Sequence, residues 1–174
     1  MGEASYIISI EIHRDKFRRL IGLSQKAYIE RILERFKMKN CSPIAAPIIK
    51  GDKFIESMST KCIRKGANER HSLCFTCWEL MYAQVCTRPD IAFVVGMLCR
   101  YQINPCLDHW KTGKKILRYL QGTKNFKLTY KYSNLVEVIG YLDSDLDRYK
   151  DTDKSISRYI FLLAGGVVSW RSIN

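Results

Sequence analysis

The feature that most constrains the fold is the C-terminal stretch 138–170, which contains three runs of strand-forming residues separated by turn signals. In the first run alternate residues fall on opposite sides, which is typical of a strand with two different faces. Asp143 lies at the end of that run, where a carboxylate can point into a site rather than into a core. The run 156–163 is rich in β-branched and aromatic residues, and Gly165-Gly166 is a hairpin signal before residues 167–170. The stretch therefore predicts three antiparallel strands with an aspartate leaving the first.

The first 50 residues combine strand and helix patterns. Residues 5–13 alternate and predict a strand, residues 14–16 predict a turn, and residues 17–23 predict a second strand that pairs back as a hairpin. Ser24 is a candidate N-cap for a helix, because apolar residues then recur at helical spacing. These apolar residues are Tyr28, Ile29, Ile32, Leu33 and Phe36.

Residues 51–70 are polar and have no periodic pattern, which predicts a linker. Residues 71–125 predict helices. One starts at Thr87-Arg88-Pro89-Asp90, where a threonine cap precedes an early proline and an acid, and another starts near Asp108 and stops at Gly122. The chain is therefore predicted to be α+β, with an N-terminal hairpin and helices followed by a three-stranded antiparallel sheet within residues 126–174.

The charge of the chain indicates a polyanionic partner. The net charge is +12 and the pI is near 9.5, which favours nucleic acid over a membrane surface. The helix near Asp108 carries a basic face beside an aromatic residue, a combination that suits a nucleic-acid groove. The residues of this face are Trp110, Lys111, Lys114, Lys115 and Arg118. A core-facing Trp110 with solvated lysines, in a merely soluble basic protein, explains the same pattern.

The 7 cysteines indicate reduced thiols in an intracellular setting, cytoplasmic or nuclear, because their number is odd and no secretory signal precedes them. No apolar run approaches the roughly 20 residues of a membrane span, so no membrane partner is expected. His71, Cys74 and Cys77 form H-x-x-C-x-x-C, which is part of a zinc-site pattern, and Cys62 or Cys86 would be the fourth ligand. Buried or incidental thiols are the alternative, because neither extra cysteine belongs to a second C-x-x-C pair.

Several short motifs, spread in order over most of the chain, resemble copia-type retrotransposon polyproteins. The ribonuclease H segment of that family is similar to residues 140–145 (G-Y-L-D-S-D), 153–159 (D-K-S-I-S-R-Y) and 164–170 (A-G-G-V-V-S-W). The end of its reverse transcriptase, where palm gives way to thumb, is similar to residues 10–12, 22–29 and 36–41. The connection between the two enzymes is similar to residues 80–83, 87–92, 109–111 and 117–123.

The resemblance implies a division of the chain into four parts. Residues 1–50 would be the end of a reverse transcriptase palm and thumb, and residues 51–70 a linker. Residues 71–125 would be a helical connection, and residues 126–174 a truncated ribonuclease H-like domain with an incomplete three-stranded sheet.

The resemblance also implies a chemistry. The first aspartate of the family's D-S-D run is a metal ligand for two-metal phosphodiester hydrolysis, which makes Asp143 the candidate catalytic residue and Asp143 with Asp145 the candidate Mg²⁺ ligands. The family's other nuclease ligands would follow Asn174, and its polymerase aspartates would precede Met1. The chain is therefore expected to be a truncated remnant of a polymerase and ribonuclease H parent, inactive by itself, with an RNA–DNA hybrid or DNA as its partner.

Two alternatives stay open at this stage. Asp143 and Asp145 are also explained as acids on a solvated loop. The whole chain is also explained as a non-enzymatic basic module that binds nucleic acid or a partner protein.

The sequence departs from the family in two informative places. Residues 71–79 (H-S-L-C-F-T-C-W-E) stand where the family has a helix of small residues, and the family wording returns at residues 80–83. This suggests the hypothesis of two compensating frameshifts, which the encoding DNA would test. Arg158 stands in place of a family glycine, which predicts either a strained backbone or a charge against a packed surface.

Overall fold

The computed structural model describes residues 3–48, 67–102, 107–132, 137–145 and 156–173. Over these ranges the chain is α+β, as the sequence predicted, with four α-helices and two antiparallel sheets. The helices supply most of the core, and the C-terminal sheet packs against them.

The N-terminal sheet contains the predicted hairpin, but the turn lies at residues 16–19 rather than 14–16. Strands β2 (Ile10–Asp15) and β3 (Leu20–Ser24) pair in antiparallel register from Glu11 opposite Ser24 to Asp15 opposite Leu20. The predicted strand 5–13 is wrong in one respect, because it is broken into β1 (Tyr6–Ile7) and β2 by a tight turn at Ile8 and Ser9. Both turn residues have positive φ, at 47° and 60°, so the chain reverses there. Strand β4 (Leu128–Lys131) pairs with the other side of β3.

Helix α1 (Lys26–Arg35) forms because its apolar residues lie on one face. The buried residues on this face are Tyr28, Ile29, Ile32 and Leu33, and Phe36 packs partly buried just beyond. Gln25 occupies the N-cap position, one residue after the predicted Ser24. The Ser24 hydroxyl nevertheless accepts a hydrogen bond from the Lys26 backbone N–H at 3.3 Å.

Three further helices complete the core. Helix α2 (Ala67–Cys86) is followed by a 3₁₀ turn (Pro89–Ile91), α3 (Ala92–Cys99) and α4 (Leu107–Thr123). The position of the predicted helix start at Thr87 is confirmed. Thr87 Oγ1, however, donates a hydrogen bond to Gln25 Oε1 at 2.7 Å and does not cap the turn. Of the predicted linker 51–70, residues 51–66 lie outside the described ranges, and residues 67–70 are the first turn of α2.

The three C-terminal strands are confirmed as an antiparallel sheet in the order β5 (Val138–Asp145), β6 (Ile156–Leu163), β7 (Gly166–Ile173). The β6–β7 turn is tight because Ala164 and Gly165 both have positive φ, at 51° and 73°. Strand β5 is at the edge of this sheet, and its side chains from Val138 to Asp143 are exposed.

The β6–β7 turn joins the two sheets. The Lys131 backbone N–H donates to the Ala164 carbonyl at 3.2 Å. Gly166 lies so close to β4 that an added Cβ would be 2.5 Å from the Thr129 carbonyl oxygen. On β7, Trp170 Nε1 donates to the Gln84 carbonyl of α2 at 3.1 Å, which ties the C-terminal sheet to the helical core.

Candidate nucleic-acid interface and carboxylate site

Asp143, the predicted catalytic carboxylate, lies opposite Arg158 in the β5–β6 register. Their charged atoms are 3.5 Å apart, and the two side chains are 62% and 32% exposed. The Arg158 guanidinium also stacks on Phe93 of α3, at 4.1 Å from the ring centroid. Of the two consequences predicted for Arg158, the structure shows the second, a charge against a packed surface. Its φ is not positive, so the strained-backbone alternative is wrong.

The described side chains contain no assembled magnesium site, and the pair of Asp143 and Asp145 stays a prediction. Mg²⁺ needs several oxygen ligands in near-octahedral geometry, and no group of three or more His, Cys, Asp or Glu side chains in the described ranges could hold a metal ion. Asp143 instead has a guanidinium beside it, which competes with a cation for the same oxygens. The side chain of Asp145, the other predicted ligand, lies outside the described residues.

The predicted basic face lies on α4, and only part of it is free for a ligand. Trp110 packs against the core and meets Phe36 edge to face, with ring centroids 6.2 Å apart. The alternative of a core-facing tryptophan is therefore confirmed for Trp110. Lys114 lies over the outer face of its ring at 5.4 Å from the centroid, and Lys111 pairs with Asp108 at 2.8 Å while remaining 72% exposed.

The other two predicted cations of this face are more engaged with the protein. Lys115 is half-buried. Arg118 donates from Nε to the Ser42 carbonyl at 2.7 Å, which fastens the segment after α1 to α4. The structure thus brings Lys111 and Lys114 together on an open surface, while Arg118 is a structural contact.

The cysteine pattern of residues 71–79 lies on α2. Cys77 is fully buried, and a hydrogen bond with the Cys99 thiol, together with burial, raises the pKa of the Cys77 thiol. A protonated thiol in the core is a poor zinc ligand. The His71 side chain and Cys62 lie outside the described residues, so the zinc prediction stays a prediction for them. The helix forms through residues 71–79, with Leu73, Cys77 and Leu80 inward and Phe75 and Trp78 outward.

A buried polar network lies at Thr87-Arg88-Pro89-Asp90, where the sequence predicted only a helix start. Arg88 is 3% exposed and binds Asp90 from Nη2 at 2.7 Å and Thr123 Oγ1 from the same nitrogen at 2.6 Å. Tyr119 donates its hydroxyl to Asp90 at 2.7 Å. Burial alone would raise the pKa of Asp90, but the hydrogen bonds and charge of Arg88 and the Tyr119 hydroxyl bring it below its usual value. The network joins the start of α3 to the end of α4.

A groove that the sequence did not predict lies between the β2–β3 turn and the end of β4. Arg14, Lys16, Arg19, Lys131 and Tyr132 are among its lining residues. The signal was present in the run Lys16-Phe17-Arg18-Arg19, where three cations flank one aromatic residue. The partner segment, residues 130–132, is more than a hundred residues away in the sequence, so only the fold brings the two together.

Several similar proteins are Pol polyproteins of transposons, and the similarity to them covers nearly the whole chain. The chain is 40% identical over 173 residues, 99% of its length, to the retrovirus-related Pol polyprotein from transposon TNT 1-94 of Nicotiana tabacum. It is 30% identical over 96% of its length to the retrovirus-related Pol polyprotein from transposon RE2 of Arabidopsis thaliana. These matches support a transposon-derived polyprotein segment.

The chain spans only a small part of those relatives, 13% of the TNT 1-94 polyprotein and 11% of the RE2 polyprotein. It is also 42% identical, over 53% of its length, to the secreted RxLR effector protein 161 of Plasmopara viticola, of which it covers 66%. No family model matches the chain, and no solved structure matches it. None of the helices in the described ranges is long and apolar enough to cross a bilayer.

Proposed function

We propose that this chain is a segment of a copia-type Pol polyprotein that reaches from the end of the reverse transcriptase into the start of ribonuclease H. The observation that carries the proposal is the 40% identity to a transposon Pol polyprotein over 99% of the chain. The predicted order of hairpin, helices and three-stranded sheet, which the fold follows, supports the same assignment. We place the segment in the cytoplasm or nucleus, where free thiols such as Cys41 and Cys86 stay reduced.

We also propose that the segment by itself does not cleave phosphodiester bonds. Two-metal hydrolysis needs several carboxylates around two ions, which together stabilise the attacking and leaving oxygens. Asp143 faces the Arg158 guanidinium at 3.5 Å. A cation in that position neutralises the carboxylate that would otherwise attract Mg²⁺. Without further ligands Asp143 does not assemble the parent's site.

The role we propose for the segment is to contact nucleic acid, an RNA–DNA hybrid or DNA, through the open part of the α4 face. Lys111 and Lys114 are the exposed cations there, and the net charge of +12 attracts any polyanion. Lys111 must exchange Asp108 for a phosphate, which is easy because the pair is solvent-exposed and such pairs stabilise by about 0–1 kcal/mol.

Binding is tested by fluorescence anisotropy with a labelled RNA–DNA hybrid at several salt concentrations. The double variant Lys111→Ala/Lys114→Ala should bind more weakly and lower the salt slope by about 1.8, since each lost phosphate contact accounts for about 0.9. The matched control is Lys26→Ala/Lys39→Ala, which removes the same charge from exposed residues on and just after α1. An equal loss in both double variants would show that net charge, not this face, determines binding.

The proposed lack of nuclease activity is tested by an in-gel nuclease assay with Mg²⁺ or Mn²⁺. We expect no cleavage of the hybrid strand by the parent chain. Cleavage that disappears in Asp143→Asn but persists in Glu137→Gln, a control at the opposite, exposed end of the same region, would refute the proposal. Cleavage unchanged in both variants would identify a contaminating nuclease.

One observation favours a second candidate, a module that binds a partner protein. Phe75 and Trp78 are 60% and 68% exposed on α2, and with Tyr28 they line an apolar cavity of about 410 Å³. Exposed aromatic residues are enriched where proteins meet. This candidate replaces the first if the chain fails to bind any nucleic acid at low salt.

A further inference from the structure

The groove between the β2–β3 turn and the end of β4 has the composition of a ligand site. Its volume is about 730 Å³, within the range of about 300–1,000 Å³ that is usual for sites that hold small organic groups. One wall is the turn after β2, and the other is the end of β4, where the Tyr132 backbone N–H donates to the Arg19 carbonyl at 2.9 Å. Both walls therefore rest on paired strands, which fixes the groove in place.

The charge of the groove is positive. Four cationic residues line it, Arg14, Lys16, Arg19 and Lys131, against one acid, Asp15. Asp15 is engaged by Arg18, whose backbone N–H donates to the carboxylate at 2.9 Å. Glu3 pairs with Lys16 at 2.9 Å. Within the described ranges no carboxylate lies within ion-pair distance of Arg19 or Lys131, so these two charges are available to an anion.

Tyr132 lines the groove, and Phe17 lies beside it in the β2–β3 turn. Tyr132 is 59% exposed, and the Arg19 guanidinium lies 5.1 Å from its ring centroid. Phe17, in the turn between Lys16 and Arg18, is fully exposed at 103%. A ring exposed in this way is accessible to another flat group that stacks on it.

We propose that this groove binds single-stranded nucleic acid, with bases stacking on Phe17 and Tyr132 and phosphates meeting Arg19 and Lys131. Proteins that bind unpaired strands without reading their sequence use a positively charged groove that carries exposed aromatic rings. The bases of a duplex are stacked on each other and cannot reach such rings. The inference rests on the proposed nucleic-acid partner, but it uses none of the residues of the α4 face.

The test is fluorescence anisotropy of the full chain with a labelled oligothymidylate, beside the same measurement with the RNA–DNA hybrid. Phe17→Ala and Tyr132→Ala should each weaken oligothymidylate binding about tenfold, within the range for loss of one base–aromatic stack. Arg19→Ala/Lys131→Ala should lower the salt slope by about 1.4, since each phosphate contact on a single strand accounts for about 0.7. Hybrid binding should change little in the two aromatic variants.

The controls separate stacking from charge and from folding. Tyr132→Phe keeps the ring and should bind as the parent does. Lys26→Ala/Lys39→Ala removes two charges on and just after α1, which do not line the groove, and should leave the aromatic effect intact. Thermal melts should show all variants folded, since the substituted residues are exposed.

Two outcomes would overturn the inference. One is binding of oligothymidylate unaffected by Phe17→Ala and Tyr132→Ala, and the other is equal competition by an acidic peptide, either of which would make the groove a general anion surface. If the aromatic variants lose oligothymidylate while Lys111→Ala/Lys114→Ala leaves hybrid binding unchanged, the groove stands and the proposed α4 face fails.

Discussion

Replacing Arg88 with methionine should destabilise the fold, because it removes the centre of a buried polar network. Arg88 is 3% exposed, and its guanidinium donates to Asp90 at 2.7 and 3.0 Å and to Thr123 at 2.6 and 3.2 Å. It also lies over the rings of Tyr119 and Phe126 at 5.5 and 5.7 Å. Methionine keeps an unbranched apolar stem but removes every one of these donors.

The magnitude follows from what is left behind. Removing one partner of a buried ion pair destabilises by about 3–5 kcal/mol, because the other charge stays without compensation. Asp90 is one-third exposed and keeps the Tyr119 hydroxyl, so we expect the lower end, about 3 kcal/mol. For a chain of this size, each kcal/mol moves the melting temperature by about 2–4 °C, so the expected loss is about 6–12 °C.

Thermal and urea denaturation followed by circular dichroism measure this loss. Arg88→Lys keeps the charge but not the planar fork, so it should fall between parent and Arg88→Met. The double variant Arg88→Met/Asp90→Asn should be more stable than the sum of its single changes, because no bare carboxylate remains. A loss below about 1 kcal/mol in Arg88→Met, or strict additivity in the double variant, would refute the assignment of a coupled network.

Two further predictions concern pH and packing. Burial lowers the pKa of His109, against a smaller opposing effect of Asp108, so the folded state favours the neutral ring. The free energy of unfolding should therefore be full above about pH 6.5 and fall as the pH drops below that value. His109→Gln should remove this pH dependence in urea titrations at about pH 5 and 7.5. Gly166→Ala would place a Cβ 2.5 Å from the Thr129 carbonyl, so it should destabilise by about 1–3 kcal/mol in the same assay. Gly96→Ala, where nothing lies within 4 Å, should not destabilise, and an equal loss in both alanine variants would contradict the packing argument.

The sequence predicted the elements whose signals are local. The helical spacing from Tyr28 to Leu33 and the strand runs around Gly165 specify structure within one element or one hairpin, and both are confirmed. The break at Ile8 and Ser9 was not predictable, because neither residue is a usual choice for positive φ. Tertiary contacts decide that conformation, including the hydrogen bond that Tyr82 of α2 donates to the Ile8 carbonyl.

The candidate sites divide along the same line. Asp143 could be placed at the end of a strand from alternation alone, but its pairing with Arg158 depends on the register between two strands separated by a polar loop. The spacing of the cations predicted the basic face of α4, but spacing does not determine which side of the helix packs against the core. Trp110 packs against the core. The groove at Arg19 and Tyr132 forms because β4 pairs with β3. The helical region separates these two strands in the sequence, so no local pattern specifies their pairing.

The exposed edge at β5 has a practical consequence for anyone who purifies the chain. Along this outermost strand Val138, Tyr141 and Leu142 are 64%, 62% and 82% accessible to water. No strand in the described ranges pairs with this edge, and free backbone N–H and C=O groups beside exposed apolar side chains favour pairing with a strand of a neighbouring molecule. Concentrated solutions should therefore form β-rich aggregates, and Leu142→Lys should delay their appearance in light scattering.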